Sequence, residues 1–419
     1  MDGRRLRRRR AARRRRGPHS TRTPRDRRGP PVAGQDLEEG LVTPLVPPSE
    51  SERLARVVLS RAAEPGDLTV ASLVLQLGAV GAVQAQLEPK ADSQLHRRLE
   101  EVDPARELEQ AQTLGIRFVV PGDPEWPLQL DDLTHGRLDW LGMGGPPIGL
   151  WVKGPMPLTE LAESVAVVGS RSATTYGTTV ANDISAVVAR AGLAVVSGAA
   201  FGIDEAAHRG AVAAGGATVA VLACGVDRAY PAEHRALLAH LASHCAVVSE
   251  SPPGASVTRL RFLTRNRLIA ALTQGTVLVE AAIRSGALNT ASWAHELNRV
   301  VMGVPGPITV AQSQGVHEWI RSGGATLVAN GHHVLEQVGA AGEHLLEVPR
   351  EEPKARDRLS ATDQRVLEAV PLVQPADVTS IARVARAHVR DVDSALRRLE
   401  RTGFVLRVEQ RWRQSVAVS

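Results

Sequence analysis

A run of four apolar residues, Val165–Val168, leads straight into the turn Gly169-Ser170-Arg171 and constrains the fold more than any other stretch. An unbroken apolar run of this length predicts a strand buried on both faces, as in a parallel sheet. A helical pattern follows over 177–191, and the next apolar run, 193–196, ends in Ser197-Gly198. Strand, turn, helix and strand predict a βαβ unit, which binds ligands at the carboxyl ends of its strands.

More apolar runs separated by helical patterns extend this unit; they are Thr218–Leu222, Ala246–Ser249, Thr276–Val279 and Val300–Val304. Their spacing predicts an α/β fold with a doubly wound parallel sheet. In the first turn, small residues let backbone N–H groups approach an anion, and Arg171 adds a forked cation. A tight turn that binds nothing is the alternative, and the absence of Gly-x-Gly-x-x-Gly argues against a dinucleotide site.

Changes in composition divide the chain into five segments. We expect a disordered Arg-rich tail over 1–48, a small helical domain over 49–115, the sheet domain over 116–338, a linker over 339–356 and a winged-helix-like domain over 357–419. The last segment shows three helical patterns and then an alternating hairpin, and it binds either DNA or another protein. The arginines of its third helix are Arg390, Arg397, Arg398 and Arg401.

The positive charge of the chain is concentrated in the tail. Residues 1–30 hold fourteen Arg and two Asp, a local charge of +12, whereas the whole chain carries +5. The body of the protein therefore binds any polyanion through local clusters and not through its overall field. The tail is either a nucleic-acid-binding arm or a segment upstream of the true start, and we assign it no role.

Several common sites have no counterpart in the sequence. Cys224 and Cys245 match no metal spacing and lie in or beside apolar runs, so we expect buried thiols in a reducing cytosol. We find no Walker lysine motif and no nucleophile elbow, and we expect neither a metal nor a cofactor. No segment reaches the roughly 18 apolar residues of a membrane span, so we expect a cytoplasmic protein without membrane contact.

The helical segment contains a turn, Gly78-Ala79-Val80-Gly81, that interrupts the helical stretch 70–87. Two glycines at this spacing between short helices have two interpretations. The turn either touches phosphates through its backbone amides or simply packs one helix against the next.

Polar clusters follow the other strand ends as well. After Ser197-Gly198, Asp204 and His208 stand four residues apart on one helix face. They are either an acid–base pair or a helix-capping Asp with a neighbouring hydrogen-bonded His. Further along, Glu280 ends a strand and Ser285-Gly286 opens the next helix. The Glu280 carboxylate accepts hydrogen bonds in one of two ways: from a ribose hydroxyl or base edge of a ligand, or from the backbone amides of the Ser-Gly turn.

The stretch Arg265-Asn266-Arg267 falls where a helix is expected to begin, three residues after Phe262. Backbone N–H groups, the helix dipole and two guanidinium groups would there face one anion. With Phe262 stacking on a base, this arrangement is typical of sites that hold single strands without reading their sequence. The alternative is a charged helix start with a core Phe.

At these clusters the chain resembles the DNA-processing protein A family (DprA, also called Smf). The matching stretches are 168–171, 176–177, 196–198, 202–204, 207–211, 224–227, 230–231, 249–250, 252–254, Phe262, 265–267, 280–281, 285–286, 290–291 and 304–306. The resemblance implies an extended Rossmann-like domain that binds and protects single-stranded DNA, helps load the RecA recombinase in natural transformation, and forms homodimers. The Arg-for-Lys bias, 47 to 3, is typical of a GC-rich, actinobacterial-like source.

The resemblance also implies roles for single residues. Arg171, Arg265 and Arg267 would grip phosphates, and Phe262 would stack on a base. The residues expected to complete the DNA site are Gly169, Ser170, Ser197, Gly198, Asn266, Ser285 and Gly286. The residues expected to shape it are Asp204, His208 and Glu280. Two positions depart from the family pattern: Phe201 stands where many members carry Arg, and His234 where many carry Asn.

The sequence thus predicts a non-enzymatic single-stranded-DNA-binding protein that delivers DNA to a recombinase. The main alternative is a nucleotide-processing enzyme of the phosphoribohydrolase type, whose sheet also places a Glu near a Gly-rich turn. Its Pro-Gly-Gly-x-Gly-Thr turn is absent, and Arg284-Ser285-Gly286 stands in its place. A pure interaction scaffold is a third class, but it would leave the three arginines without a role.

Overall fold

A computed structural model describes residues 47–87, 94–136, 142–340, 343–344 and 354–415. These residues all belong to one compact unit, 47–419. The Arg-rich tail predicted over 1–48 lies outside the described residues except for its last two positions, and so does much of the predicted linker.

The described helices are α1 (Glu50–Ala62), α2 (Leu68–Leu87), α3 (Gln94–Glu100), α4 (Pro104–Thr113), α5 (Thr175–Arg190), α6 (Ile203–Ala213), α7 (Arg235–His244), α8 (Arg259–Ala271), α9 (Gly286–Glu296), α10 (Ala311–Arg321), α11 (Gly331–Val338), α12 (Ala361–Ala369), α13 (Val378–Ala385) and α14 (Val389–Arg401). The described strands are β1 (Ile116–Val119), β2 (Leu150–Lys153), β3 (Ser164–Val168), β4 (Ala194–Ser197), β5 (Thr218–Val221), β6 (Ala246–Ser249), β7 (Gly275–Leu278), β8 (Val300–Gly303), β9 (Thr326–Leu327), β10 (Val405–Val408) and β11 (Arg411–Gln414).

The first nine strands form one sheet in the order β1-β2-β6-β5-β4-β3-β7-β8-β9. The strands from β6 across to β9 are parallel, and β2 and β1 extend the β6 edge antiparallel. The chain winds from β3 outward to β6 and then returns to β7 on the other side of β3. This reversal confirms the doubly wound, Rossmann-like α/β fold predicted from the sequence, with its switch point between β3 and β7.

The central parallel strands are buried on both faces, as their apolar sequences predict. Every residue of β3, β4 and β7 is buried. Helices α8 and α9 pack on one face with Trp293 and Leu268, and helices α5 and α6 pack on the other with Ile184 and Ile203. Cys224 and Cys245 are free, buried thiols, and burial raises the pKa of Cys224 to about 11.

The N-terminal helices share a core with the sheet. Val57 of α1 and Ala111 of α4 are buried in one cluster with Phe118 of β1 and Trp151 of β2. The rings of Phe118 and Trp151 lie 4.4 Å apart between centroids. The first two strands therefore connect the helical segment to the parallel sheet.

Helix α2 is interrupted as the sequence predicts, at Gly78 (φ 73°, ψ 167°). The N–H groups of Ala79 and Val80 donate to the Glu52 carboxylate at 3.1 and 3.4 Å. The Glu52 carboxylate thus accepts the hydrogen bonds of the backbone amides that were predicted, in one of the two interpretations, to bind a phosphate. Among the described helices, α2 is long and apolar enough to cross a membrane, with a mean hydropathy of 1.7, which corrects the expectation that no segment reaches this length.

The C-terminal helices α12–α14 and the hairpin β10–β11 follow in the predicted winged-helix order. They bury an apolar cluster of their own that includes Val366, Ile381, Leu396, Phe404 and Trp412. The hairpin packs against α14 through Phe404 and Val405, so the wing and the third helix share this core.

Candidate nucleic-acid interface

The four predicted clusters meet at the carboxyl edge of the sheet. The backbone N–H of Ser170 donates to the Glu280 carbonyl at 2.6 Å, and that of Ile203 donates to the Ser170 carbonyl at 3.2 Å. Arg265 Nη1 donates to the Gly198 carbonyl at 2.8 Å. The loops after β3 and β7 start at the switch point of the sheet, where α/β folds bind ligands.

The accessible side chains at this edge include three aromatic rings and one arginine, which we call the aromatic rim: Arg171, Phe201, Tyr230 and Phe262. The Arg171 guanidinium carbon lies 4.6 Å from the centroid of the Phe262 ring. The Tyr230 ring lies 5.6 Å from the same ring. Phe201 and Tyr230 are 43% and 44% exposed, and Phe262 is half-buried. Rings beside an exposed cation are suited to stacking on bases while pairing with phosphates.

The turn after β3 presents Arg171 to solvent. Gly169 and Ser170 are half-buried, and a Cβ at Gly169 would lie 2.5 Å from the Ile203 side chain, so the turn is tightly packed. Ser170 Oγ accepts from the Ser172 N–H at 3.2 Å. This arrangement fixes the backbone on both sides of Arg171 while leaving its side chain exposed.

Helix α8 begins earlier than the sequence predicts. It starts at Arg259 and is capped by Thr258, whose Oγ1 accepts from the Arg261 N–H at 3.1 Å. Arg265 and Arg267 therefore lie in the middle of the helix, and the prediction that they face an anion from its N-terminus is wrong. The N–H groups at these positions are already within the helical hydrogen-bond ladder.

Arg265 joins the ends of two strands. It is 6% exposed, and Nη1 donates to the carbonyls of Gly198 and Val221. Burial lowers the pKa of Arg265 to about 10, so it stays charged at neutral pH. A Cβ on Gly198 would lie 2.4 Å from the guanidinium nitrogens, so this glycine makes room for Arg265. Ser197 is also buried, with Oγ donating to the Val167 carbonyl at 2.7 Å. The Ser197 hydroxyl and the Arg265 guanidinium are therefore bonded inside the protein and not placed for their predicted phosphate contacts.

Arg267 is fully buried in an ion pair. Its Nη2 donates to both carboxylate oxygens of Glu250, at 2.9 and 2.7 Å, and its Nε donates to the Gly145 carbonyl at 2.9 Å. The Gly66 N–H donates to the same carboxylate at 3.1 Å. Because Arg267 is 0% exposed, its guanidinium does not reach DNA bound at the surface. The predicted phosphate contact is therefore wrong, and Arg267 has a structural role.

Glu280 holds the start of α5. It is 1% exposed and accepts from the N–H and Oγ1 of Thr174 at 2.9 and 2.5 Å. Thr174 is neither of the two partners predicted for Glu280. Those were a ribose hydroxyl or base edge, and the amides of the Ser285-Gly286 turn. The carboxylate instead fixes the loop that carries Arg171.

Ser285 caps helix α9, with Oγ accepting from the Ala287 N–H at 3.3 Å. Gly286 is exposed, and its carbonyl accepts from Asn266 Nδ2 at 3.2 Å. Asn266 is itself buried, so it connects α8 to the start of α9. This hydrogen bond holds the start of α9, where Gly286 and the neighbouring Arg284 are both exposed.

Asp204 and His208 have separate partners. Asp204 accepts from the Ala200 N–H at 3.4 Å, and burial raises its pKa against the opposing charge of Arg265. His208 Nδ1 lies 2.7 Å from Thr218 Oγ1, which donates its only proton to the Val195 carbonyl and so accepts from Nδ1–H. Burial lowers the pKa of His208 to about 3. Asp204 therefore binds the loop before α6 and His208 binds strand β5, so the two residues do not form an acid–base pair and Asp204 is not the cap of α6.

The two positions that depart from the family pattern contact each other. The rings of Phe201 and His234 meet edge-to-face with centroids 4.9 Å apart. His234 Nδ1 lies 3.0 Å from the Ala199 carbonyl, and Nε2 lies 3.1 Å from Glu205 Oε2. Sequence reasoning treated the two substitutions separately, since they stand more than thirty positions apart.

Sequence reasoning assigned no role to Tyr230, which the structure places on the aromatic rim. Its position in the loop after β5 was the available signal, because every loop at this edge contributes to the same surface. Exposed Arg284 was noted only as part of the turn that replaces a glycine-rich one.

The profile of the family described as DNA recombination-mediator protein A matches residues 117–339. A DNA processing protein DprA of Mycobacterium tuberculosis (strain H37Rv) is 42% identical over 365 residues, covering 85% of this chain and 92% of that protein. DNA processing protein DprA of Bacillus subtilis is 36% identical over 193 residues, 46% of this chain and 65% of that protein. An X-ray structure of DprA from Streptococcus pneumoniae is 27% identical with a TM-score of 0.58, covering 70% of this chain and 99% of that chain.

Proposed function

Because this chain belongs to the DNA recombination-mediator protein A family and is a DNA-processing protein of recombination, we propose that it binds single-stranded DNA on the aromatic rim. The observation that carries this proposal is the placement of exposed Arg171 4.6 Å above the Phe262 ring, with Tyr230 beside the same ring. Bases stack on rings of this kind without sequence preference, at about 1–3 kcal/mol per base.

The phosphate contacts of the proposed site come from the exposed groups. Arg171 supplies a guanidinium at the rim, and Arg284 with the start of α9 supplies a second positive position on the same edge. Arg265, Asn266 and Glu280 act through other residues, since they hold the strand ends and loops that carry the rim. The site is thus built from a rigid buried layer and a small accessible layer.

The buried state of Glu280 supports binding over catalysis. The enzyme alternative needs this carboxylate beside a substrate, whereas it contacts Thr174 and is 1% exposed. We therefore propose a non-enzymatic role in the cytoplasm. From the family resemblance we further propose delivery of the bound strand to RecA and self-association as a homodimer.

The experiment that tests the site is fluorescence anisotropy with labelled oligo-dT over a salt series. Arg171→Ala and Phe262→Leu are compared with the wild type, each in the full chain and in a chain lacking residues 1–46. Arg190→Ala is the matched control, since Arg190 is exposed and lies at the C-terminal end of α5, away from the rim, which is near the start of that helix. We expect both rim variants to bind roughly tenfold or more weakly and the control to match wild type.

Two results would overturn the proposal. The first is that the folded rim variants bind oligo-dT as tightly as the wild type. The second is that the wild type and every variant lose binding once residues 1–46 are removed. The second result would make the Arg-rich tail the polyanion site.

A further inference from the structure

The outer face of α14 carries a stripe of arginine. Arg390, Ser394, Arg397 and Arg401 are all exposed and follow one another at intervals of four, three and four residues. At 100° per residue this spacing places them on one face of the helix. The buried residues of the helix, Val392, Ala395, Leu396 and Leu399, lie on the opposite face.

The flanks of this stripe carry charges of both signs, including exposed Asp391 and Glu400, whereas the stripe itself holds only arginines and Ser394. Asp393 lies on the flank of the helix and pairs with Arg397 at 2.9 Å, which holds that side chain along the helix. Arg398 lies on the other flank and pairs with Asp363 of α12 at 2.7 Å, so it joins two helices. No acidic residue interrupts the stripe itself.

Two further features, in the segments before and after α14, also carry exposed arginines. At the start of α14 is an open groove of about 410 Å³, lined by Arg383, Arg386, His388 and Val389 among others. In the wing, Arg407 lies over the Trp412 ring at 5.6 Å and is exposed, as is Arg411. The helix, the turn before it and the hairpin after it therefore all present guanidinium groups.

We propose that this face, formed by α13, α14 and the β10–β11 wing, is a second nucleic-acid site that binds duplex DNA. A helix with outward arginines fits the major groove, where guanidinium groups pair with phosphates or guanine edges. Exposed Val389 at the groove suits contact with a thymine methyl group. Within the described part of this segment, residues 354–415, the only Phe, Tyr or Trp residues are Phe404 and Trp412, both buried. This face therefore lacks an exposed Phe, Tyr or Trp on which unpaired bases could stack, which distinguishes it from the aromatic rim.

The test is site-directed photocrosslinking in the full chain, because the readout then does not depend on DNA held elsewhere. Ser394→Cys carries a benzophenone maleimide, and Thr362→Cys, at an exposed position of α12, is the matched control. The native cysteines are 2% and 7% exposed, so labelling is directed to the new thiol. The probe is a 20-base-pair duplex with both ends closed by hairpins.

We expect the duplex to crosslink from position 394 and not from position 362. Arg390→Ala combined with Arg401→Ala should lower that yield roughly tenfold or more, whereas Arg358→Ala combined with Arg365→Ala, the same change in charge on exposed residues elsewhere, should not. Unlabelled duplex should compete better than oligo-dT.

Equal yields from the two positions, no crosslink at position 394, or equal competition by oligo-dT would each overturn the proposal. No crosslink at position 394 would favour a protein partner for this face. Because the Phe262→Leu variant should leave this crosslink unchanged, failure of the rim and failure of the winged-helix site are separable.

Discussion

Arg267 Nη2 lies 2.7 Å from Glu250 Oε2, and the side chains of the two residues are 0% and 7% exposed. The pair joins the middle of α8 to the end of β6, and Gly66 and Gly145 complete its hydrogen bonds. The arginine that the sequence places in the DNA site is therefore part of the core. Its removal is expected to affect folding before it affects binding.

We expect Arg267→Ala to lower the free energy of unfolding by about 3–5 kcal/mol, because it leaves the Glu250 carboxylate buried without its partner. Chemical denaturation monitored by circular dichroism measures this loss. The double variant Arg267→Met, Glu250→Gln should recover part of it, since no buried charge remains. Loss of oligo-dT affinity in a fully stable Arg267→Ala protein would show that the side chain contacts DNA after all.

Gly198→Ala is expected to lower the free energy of unfolding by about 1–3 kcal/mol, because the added methyl group overlaps the Arg265 guanidinium. Gly286→Ala is the control, since a Cβ there meets nothing within 4 Å. Thermal unfolding of the two variants side by side measures the difference. Equal melting temperatures would mean that Arg265 moves aside without cost.

His208 is expected to make the protein less stable in acid. Its folded pKa of about 3 lies below the ordinary value of 6.5, so the unfolded chain binds the proton first as the pH falls. The stability therefore declines below about pH 6.5, by about 2 kcal/mol between pH 7 and pH 5. His208→Gln should flatten this part of the curve of unfolding free energy against pH. Exposed His240→Gln should leave the curve as in the wild type.

Phe201→Arg is expected to strengthen binding of single-stranded DNA, because it adds a cation to the rim where many family members have one. The salt dependence of the affinity should steepen by about 0.7 in log–log slope for one added phosphate contact. Anisotropy with oligo-dT at several salt concentrations measures the slope. An unchanged slope with weaker binding would instead indicate that the Phe201 ring stacks on a base.

The sheet and its switch point were predictable because each buried strand is a short apolar run that ends in small residues. The runs at 165–168 and 246–249 lie within or match β3 and β6. The convergence of Arg171, Phe262 and Gly198 followed from the rule that parallel strands end at one edge. These features depend on local sequence and on topology alone.

The separation of exposed from buried arginines was not predictable. Arg171 and Arg267 look alike in the sequence, and the difference comes from Glu250, which lies beside Arg267 only in the folded chain. The start of α8 was placed too late because Thr258 was overlooked as a capping residue. The role of Glu280 likewise depends on Thr174, 106 positions away.

Helix α8 presents Phe262 to the rim and, five residues later, Arg267 to the core. One inserted or deleted residue between them would turn one side chain about 100° relative to the other. Either the ring would leave the surface or Glu250 would lose its counterion. The stretch from 262 to 267 therefore tolerates exchange of side chains far better than a change in length, and gaps between related chains should fall outside it.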